Sequence, residues 1–585
     1  MNEFLIGKQS FLYNGEPIKI FAGAMHYFRV PREYWRDRLL KIKACGFNAV
    51  ETYTAWNLHE PEEGKFDFSG DLDLKAYLDL IKELDMFAIV RPGPYICSEW
   101  EFGGFPWWLL KYDSIQLRCM NDTYLEKVDA YFDKIIPIIA SCQIENGGSV
   151  IMVQVENEYG SYGDDSEYIR YIAAGLRARG ITAELFTSDG DCDMMLTGGT
   201  VPEIFKTANF GSDAKTAFRN LRKFQPEGPL MCMEFWNGWF DHWGEKHHSR
   251  DPEDAAKSFR EVLECDGNIS VYMMHGGTNF GFMNGANCTD TEYQPTVNSY
   301  DDDAPINEYG YLTPKYFAFK KVLAEFGHES DIEVEQPVTV AYEPVKLNEC
   351  ADLFDNVSEI SQKQSSVLPL TMEKAGQGYG YILYESFIRG PRDPGLLHFK
   401  ANDRAYIYIN DEFFACVYRN DKRKKLKISI PPEGIKLSII VENMGRINYG
   451  NYLHDQKGLV EPVRLEKQFL YHWDNYSLDV CDLSSVKFIR NLKPKFNKRP
   501  MYLRGILNIT GEVHDTFIKP SGFRKGIVFV NGRLLSRYWE KGPQQTLYLP
   551  APWLHQGANE IVVLEFEGFR KPVLQFTDTP ILDKR

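Results

Sequence analysis

Two glutamates follow apolar runs in the first half of the chain. Glu158 comes after residues 150–155 in SVIMVQVENEYG, and Glu234 comes after residues 229–233 in PLMCMEF. Charged groups are rarely buried without a partner, so each glutamate is either a satisfied structural anion or a working group. Hydrolysis of a glycosidic bond needs a proton donor and a carboxylate that attacks or stabilises the sugar cation. The two glutamates are candidates for that pair.

The separation of two such carboxyls sets the stereochemistry. A separation of roughly 5 Å gives retention, and roughly 6.5 Å or more gives inversion. We expect retention, with Glu158 as acid/base, Glu234 as nucleophile and Asn157 donating a hydrogen bond to the sugar 2-hydroxyl. Glu156 competes with Glu158 because it lies two residues earlier, on the same face if the strand continues. We expect Glu156 to lie one layer deeper, as a partnered structural carboxylate.

The elements that must position these groups alternate between short apolar strands and amphipathic helices up to about residue 330. This pattern predicts a parallel (β/α)8 TIM barrel with its site at the carboxyl ends of the strands. A hairpin at 11–20, turning on Asn14-Gly15, is expected to close the barrel floor. The predicted barrel strands lie at or within 20–26, 48–56, 87–95, 149–160, 183–187, 203–209, 229–235 and 269–275.

The predicted strand ends carry polar and aromatic residues that core packing does not require. The loop after the third strand, RPGPYICSEWEFGG, contains Glu99 and Glu101. We expect Glu99 to bind sugar hydroxyls and Glu101 to brace the loop through an ion pair. Trp236 and Trp239 follow Glu234, and we expect a platform for the aglycone there, although both could be core aromatics.

Several long motifs resemble glycoside hydrolase family 35, the acid-type β-galactosidases. They are GAMHYFRVPREYW, ETYTAWNLHEP, RPGPYICSEWEFGGFPWWLL, VQVENEYGSYG, EFWNGWFDHWG and GGTNFGFMNGAN, continued by VENMGRINYG and FVNGRLLSRYW. The resemblance implies a retaining exo-β-galactosidase that releases terminal non-reducing β-D-galactosyl residues from oligosaccharides or glycoconjugates without a metal or cofactor. The family's acid/base and nucleophile fall on Glu158 and Glu234. Its galactose-binding pattern falls on Tyr53, Cys97, Ser98, Glu99, Asn157 and Tyr272.

One position departs from the family pattern. The family has S-Y-D-Y-D-A-P after the eighth strand, whereas this chain has Ser299-Tyr300-Asp301-Asp302-Asp303-Ala304-Pro305. Either Tyr300 or a neighbouring aromatic takes the place of the second tyrosine, or the sugar subsite is altered. Two alternatives therefore stay open: an exo-β-glucosaminidase or other β-glycosidase on the same barrel, and a non-catalytic carbohydrate-binding protein.

Two groups near the predicted site have plainer interpretations. His242, His247 and His248 lack the spacing of a metal site with a second set of ligands, so a structural or rim role is favoured. Cys97 is interpreted as a small packed thiol, since no base is evident beside it.

The second half changes to short alternating strands after an acidic linker. The pattern predicts two jelly-roll-like β-sandwich domains, at 331–484 (with the linker) and 485–585, after a catalytic domain at 1–330. Tyr449 is expected to reach the barrel mouth and shape the aglycone site. Whether the β domains bind sugar stays open.

Composition limits the partners. The chain has 66 basic and 82 acidic side chains, a formal charge of −16, which argues against nucleic acid. The basic segments 419–427 and 487–500 are expected to be solvated turns and a linker. The absence of a visible signal peptide or membrane span, together with 11 cysteines without a C-x-x-C pair, predicts a cytoplasmic protein with reduced thiols. A homodimer is compatible with this charge.

Overall fold

The computed structural model of the chain describes residues 2–421, 425–490 and 498–583. Parts of both basic segments, residues 422–424 and 491–497, lie outside the described residues.

Eight parallel strands close into a barrel, as the alternating pattern predicts. Each strand pairs in parallel with its neighbours, and the last pairs with the first, Val271 opposite Gly23. The strands are buried over nearly their whole length, which explains their continuous apolar runs. They span Phe21–Met25, Ala49–Tyr53, Phe87–Arg91, Val150–Gln154, Glu184–Gly190, Phe205–Phe210, Met231–Trp236 and Asn268–His275.

A helix follows each barrel strand and packs outside the barrel. Four of these helices begin at a side chain that accepts hydrogen bonds from the free backbone N–H groups of the first turn, at Asp73, Asn121, Asp165 and Asp251. No helix in the described ranges is long and apolar enough to cross a membrane. The eight helices span Trp35–Cys45, Leu74–Glu83, Asp122–Ser141, Ser166–Ala178, Asp193–Gly199, Ala214–Phe224, Pro252–Glu264 and Pro314–Glu325.

An N-terminal three-stranded sheet covers the lower end of the barrel, as expected for the floor. Its strands are Phe4–Ile6, Phe11–Tyr13 and Glu16–Ile18. Asn14 and Gly15 both have positive φ, 53° and 85°, which a tight turn between twisted strands requires. The Phe11 ring lies 5.7 Å from that of Phe205 and closes the floor with apolar contacts.

The C-terminal half is built from antiparallel sheets with a short helix, Leu353–Ile360. In the described residues one six-stranded sheet contains Ser361–Ser366, Tyr381–Ile388, Arg404–Ile409, Glu412–Tyr418, Ile435–Glu442 and Trp473–Leu478, and a four-stranded sheet contains Arg392–His398, Leu426–Ile430, Arg464–Leu465 and Gln468–Phe469. A second six-stranded sheet contains Glu349–Asp352, Ile489–Arg490, Met501–Ile509, Lys525–Val530, Arg533–Trp539 and Gly557–Glu565, and its four-stranded companion contains Val345–Lys346, Thr516–Lys519, Leu547–Leu549 and Val573–Thr577. The barrel and the all-β half confirm the predicted fold class.

The last sheets draw strands from two distant parts of the chain. Val345–Lys346 pairs with Val573–Thr577, and Glu349–Asp352 pairs with Met501–Ile509. The segment just after the linker therefore pairs with strands of the C-terminal unit. The predicted boundaries near 330 and 484 stay a prediction.

Buried ion pairs join the β half to the barrel. Arg446 lies between Glu101, at 2.8 Å, and Glu373, at 2.6 Å, and its side chain is 1% exposed. The ion pair expected to brace the Glu101 loop is confirmed. Within the β half, Lys525 pairs with Glu442 at 2.7 Å.

Candidate active site

One cavity of about 220 Å³ opens at the carboxyl ends of the barrel strands. It brings together residues at the ends of barrel strands 2, 3, 4, 5, 7 and 8 and residues of the β half. The lining residues that the sequence predicts as site residues are Tyr53, Cys97, Ser98, Glu99, Asn157, Glu158, Glu234, Trp236, Trp239, Tyr272 and Tyr449. The other lining residues are Gly190, Met195, Gly238, Phe240, Asn287 and Asp302.

Glu234 lies near the end of the seventh barrel strand and is surrounded by hydrogen-bond donors. Its Oε1 accepts from Arg91 Nη2 at 2.6 Å and from the Tyr53 hydroxyl at 2.9 Å. Its Oε2 accepts from Trp236 Nε1 at 3.2 Å. These contacts with Arg91, Tyr53 and Trp236 fix the orientation of the Glu234 carboxyl.

Arg91 is a site residue that the sequence reasoning missed. It ends the third barrel strand, its side chain is fully buried, and its guanidinium lies 4.1 Å from the centre of the Tyr53 ring. Behind it lies Glu51, also fully buried, with Oε1 3.5 Å from Arg91 Nη1. Burial raises the pKa of Glu51 to about 7. The sequence signal for Arg91 is a charged residue at the end of an otherwise apolar strand.

Glu158 has a different environment from Glu234. It follows the fourth barrel strand in a left-handed conformation, with φ 45°. Its Oε1 accepts a hydrogen bond from Asn209 Nδ2 on barrel strand 6, at 3.1 Å. Burial, reinforced by the nearby charge of Glu234, raises the pKa of Glu158 to about 8. The carboxyl therefore carries a proton at neutral pH. The role of Asn209 was not seen in the sequence.

Glu156 is a partnered structural carboxylate, as expected, but its expected position was wrong. The strand ends at Gln154, and Glu156 itself has a φ of 61°, so the two-residue alternation of a strand does not extend to Glu158. Arg118 binds the Glu156 carboxyl through Nε at 2.9 Å and Nη2 at 2.7 Å. The Tyr168 hydroxyl, from the next helix, adds a bond of 3.1 Å. These partners hold Glu156 beside the helices, away from the cavity.

The Asn157 amide is held in one orientation. Arg91 Nη2 at 2.7 Å and Gln154 Nε2 at 3.1 Å donate to its Oδ1. The Tyr53 hydroxyl lies 2.9 Å from both this oxygen and Glu234 Oε1, and its single hydrogen is donated to one of the two at a time. Because a guanidinium can only donate, the atom that Arg91 contacts is the oxygen, and the remaining side-chain group is the NH₂. That NH₂ makes one long bond, 3.4 Å, to the Ile96 carbonyl. Asn157 is therefore oriented to donate further hydrogen bonds.

Glu99 and Tyr300 form a linked pair on the opposite wall. The Tyr300 hydroxyl donates to Glu99 Oε2, and the Tyr300 ring lies 3.9 Å from the Arg29 guanidinium. Burial raises the pKa of Glu99 to about 7. Tyr300 is not among the residues that line the cavity, and its hydroxyl is engaged by Glu99. Its contact with the sugar stays a prediction.

Asp302 lines the cavity, whereas its two neighbours serve the fold. Asp301 accepts from the backbone N–H of Glu308 at 3.1 Å, and Asp303 pairs with Lys315 at 2.6 Å. Asp302 Oδ2 accepts from the Met273 N–H at 3.2 Å. Burial and the charge of Glu99 raise the pKa of Asp302 well above its usual value. An aromatic is still present on this wall, since Tyr272 lines the cavity.

The mouth of the cavity is aromatic. Trp239 is 45% exposed, and its ring centre lies 6.0 Å from that of Trp236. Tyr449 approaches from the β half, next to Asn448, whose carbonyl accepts from the Tyr95 hydroxyl at 2.5 Å. These rings provide flat apolar faces of the kind that sugar rings stack on.

Cys97 and the three histidines have protein partners. Burial raises the pKa of the Cys97 thiol, which is the expected behaviour of a packed thiol. His247 and His248 both contact the Asp241 carboxylate, at 2.7 and 3.0 Å. His242 contacts Glu245 and Asn287.

Models of known families match three parts of the chain. Residues 10–326 match "Glycosyl hydrolases family 35", residues 369–479 match "Beta-galactosidase, first all-beta domain", and residues 500–559 match "Beta-galactosidase, galactose-binding domain". The first match contains all of the barrel strands and the helices that follow them.

Curated relatives align over most of their length. Human beta-galactosidase-1-like protein 2 is 41% identical over 98% of this chain and 91% of its own. Beta-galactosidase of Xanthomonas manihotis is 40% identical over 92% of this chain and 90% of its own. Bovine beta-galactosidase is 38% identical over 98% of this chain and 93% of its own. With the catalytic family model matched over more than half of the sequence, the chain belongs to the glycosyl hydrolases of family 35.

Proposed function

We propose that the protein is a retaining exo-β-galactosidase that hydrolyses terminal non-reducing β-D-galactosyl residues by double displacement. The observation that carries the proposal is the contrast between two carboxyls in one cavity. Burial raises the pKa of Glu158, which suits a proton donor, whereas the carboxyl of Glu234 accepts a hydrogen bond from the Arg91 guanidinium at 2.6 Å. The relatives from cattle and Xanthomonas manihotis are named as beta-galactosidases, which supports galactose as the sugar.

In the first step Glu234 attacks the anomeric carbon while Glu158 gives its proton to the departing glycosidic oxygen. This forms a galactosyl ester on Glu234 and releases the aglycone. In the second step Glu158, now ionised, takes a proton from water as that water attacks the same carbon, and Glu234 leaves as a carboxylate. Two inversions at one carbon give net retention.

The other lining residues would hold the galactosyl ring. The Asn157 NH₂ donates to the sugar 2-hydroxyl, consistent with Arg91 and Gln154, which donate to its Oδ1. Tyr300 positions the carboxyl of Glu99. The predicted galactose contacts are Tyr53, Cys97, Ser98, Glu99, Asn157 and Tyr272.

The size of the cavity supports exo action. Its volume of about 220 Å³ is below the roughly 300–1,000 Å³ of pockets for larger ligands, and suits one sugar ring. Trp236, Trp239 and Tyr449 at the mouth would contact the aglycone.

Azide rescue tests the roles of the two carboxyls. Glu234→Gly should abolish hydrolysis of an aryl β-galactoside, and azide should restore turnover to α-galactosyl azide, since azide enters the vacated face directly. Glu158→Ala should give β-galactosyl azide, because azide then replaces water on the galactosyl ester. NMR of the products distinguishes the anomers. Hydrolysis at the wild-type rate by Glu234→Gly, or exchanged anomers, would contradict the assignment.

Asp302 favours a second candidate, an exo-β-glucosaminidase. Two carboxyls, Asp302 and Glu99, line one wall of the cavity and could bind the ammonium of an amino sugar. A panel of aryl β-galactosides, β-glucosaminides and β-glucosides settles the choice by kcat/KM. Binding of galactose without turnover of any glycoside would instead favour a non-catalytic carbohydrate-binding protein.

The cytoplasmic location and the homodimer stay predictions. Five of the cysteines are buried thiols, which suits a reducing compartment. Fractionation of the native host checks the location, and light scattering of the purified protein checks the oligomeric state.

A further inference from the structure

A short hairpin forms part of the rim of the catalytic cavity. Its strands are Ala286–Cys288 and Tyr293–Pro295, with Asn287 opposite Gln294. Asn287 lines the cavity together with Trp239 and Phe240, whereas the next residue, Cys288, lines a different cavity. Alternate residues of a strand point to opposite faces, which explains this division. The Asn287 side chain is therefore placed on the aromatic side of the mouth.

The Asn287 amide is held by a histidine and a glutamate. His242 Nε2 lies 2.9 Å from Asn287 Oδ1, and His242 Nδ1 lies 2.8 Å from Glu245 Oε2. Glu245 also accepts from the His242 backbone N–H at 3.1 Å and from Gln294 Nε2 at 3.3 Å. His242 is 8% exposed, and the Phe240 ring packs edge-on against it at 5.3 Å. The imidazole is thus fixed from both nitrogens and from the side.

One half of the amide remains unused by the protein. Within the described ranges, Asn287 Nδ2 makes no hydrogen bond, although Oδ1 is engaged by His242. An ordered amide with a free donor beside exposed aromatic rings is what recognition of a sugar hydroxyl requires.

We propose that Asn287 is a specificity residue for the aglycone sugar, and that His242 and Glu245 are the positioning residues that hold its amide toward that sugar. The inference rests on the proposed glycosidase function, because only a cleaved glycoside places a second sugar at the mouth. Asn287 would select among linkages, since different linkages present different hydroxyls at a fixed point on the rim.

The contacts of His242 allow two arrangements of the Asn287 amide. If both ring nitrogens donate, to Glu245 and to Asn287 Oδ1, then Nδ2 is left as a donor to the substrate. If the ring carries its hydrogen on Nδ1 alone, Nε2 accepts from Asn287 Nδ2 and the amide oxygen faces the substrate. In both arrangements one polar end of the amide is available to the aglycone.

The experiment compares two substrate classes on matched variants. For Asn287→Ala, the kcat/KM for a galactosyl disaccharide should fall about 5- to 20-fold through loss of about one hydrogen bond, whereas that for 4-nitrophenyl β-galactoside should stay within about twofold. Asn287→Ser serves as a second variant if Asn287→Ala folds poorly. Cys288→Ala, on the same strand but outside the catalytic cavity, should leave both values unchanged.

Two variants of His242 test its positioning role. The ratio of disaccharide to aryl kcat/KM should fall in His242→Ala, which removes the contact with Asn287, and should recover in part in His242→Gln, whose amide can restore it. A merely structural role of His242 would lower kcat/KM for both substrates together and leave the ratio unchanged.

The two proposals fail in different ways. A wild-type protein that hydrolyses no aryl β-glycoside would overturn the glycosidase function and this inference with it. An active wild type in which Asn287→Ala and Asn287→Ser leave the substrate ratio unchanged would overturn this inference alone.

Discussion

At the scale of residues, identical side chains acquire different chemistry from their surroundings. Glu158 and Glu234 line one cavity, but Arg91 donates at 2.6 Å to Glu234, whereas an amide, Asn209, donates to Glu158. Burial and the nearby charge of Glu234 favour the neutral form of Glu158. The proposed division of labour between acid and nucleophile rests on this difference in surroundings.

The pKa of Glu158 predicts the alkaline limb of activity. Since the proton donor must be protonated in the free enzyme, kcat/KM should fall tenfold per pH unit above about pH 8. In Glu158→Gln that limb should disappear with 2,4-dinitrophenyl β-galactoside, whose leaving group needs no proton. With an alkyl galactoside the same variant should lose about 10²- to 10⁴-fold. An unchanged alkaline limb in Glu158→Gln would show that another group controls it.

At the scale of elements, the residues just after the carboxyl ends of the barrel strands decide which side chains face the cavity. The fourth barrel strand ends at Gln154, and left-handed conformations at Glu156 and Glu158 turn the chain so that the first faces Arg118 and the second faces the cavity. Such conformations cost about 1–3 kcal/mol each in a non-glycine residue and are tolerated where the surroundings hold them.

The segment around Arg446 links the β half to the cavity loop, and its ion pairs predict a stability effect. Arg446→Met would leave the buried carboxylates of Glu101 and Glu373 without their cation, so the free energy of unfolding should fall by about 3–5 kcal/mol. Urea denaturation measures this. The exposed Arg219, changed to Met, is the matched control and should shift stability by less than about 0.5 kcal/mol. Equal small shifts in both variants would argue against the bracing role.

At the scale of the whole molecule, burial of carboxyl groups should make stability depend on pH. Burial raises the pKa of six carboxyls to about 7 or about 8: Glu51, Glu99, Glu158, Asp189, Glu308 and Glu565. Unfolding returns these pKa values to their ordinary range, so the native state binds more protons than the unfolded state between about pH 4.5 and pH 8. The contribution of these carboxyls to stability is full below the pKa values of the unfolded state. It is lost as the pH rises through the pKa values of the folded state.

The prediction is clearest above pH 6.5. His59 and His275 have pKa values lowered to about 4 and about 3 by burial, so they oppose the trend only below their ordinary value. Thermal unfolding should therefore shift to lower temperature between pH 6.5 and pH 8.5. Each group protonated only in the native state contributes about 1.4 kcal/mol per pH unit. A melting temperature that rises over this range would refute the prediction.

Local patterns in the sequence determined the barrel, the order of its strands and most of the residues in its cavity. Strand and helix periods are properties of neighbouring residues, so the sequence predicts the elements. Because the carboxyl ends of parallel barrel strands lie at the same end of the barrel, the sequence also predicts that Glu158 and Glu234 lie in one site. Tertiary structure decided what depends on distant partners. Arg91 reaches Glu234 across 143 residues, Tyr300 is engaged by Glu99, His242 fixes Asn287, and residues 345–352 pair with strands beyond 500. Hydrogen bonds and desolvation act through space, and no local period of the chain encodes which side chains they will join.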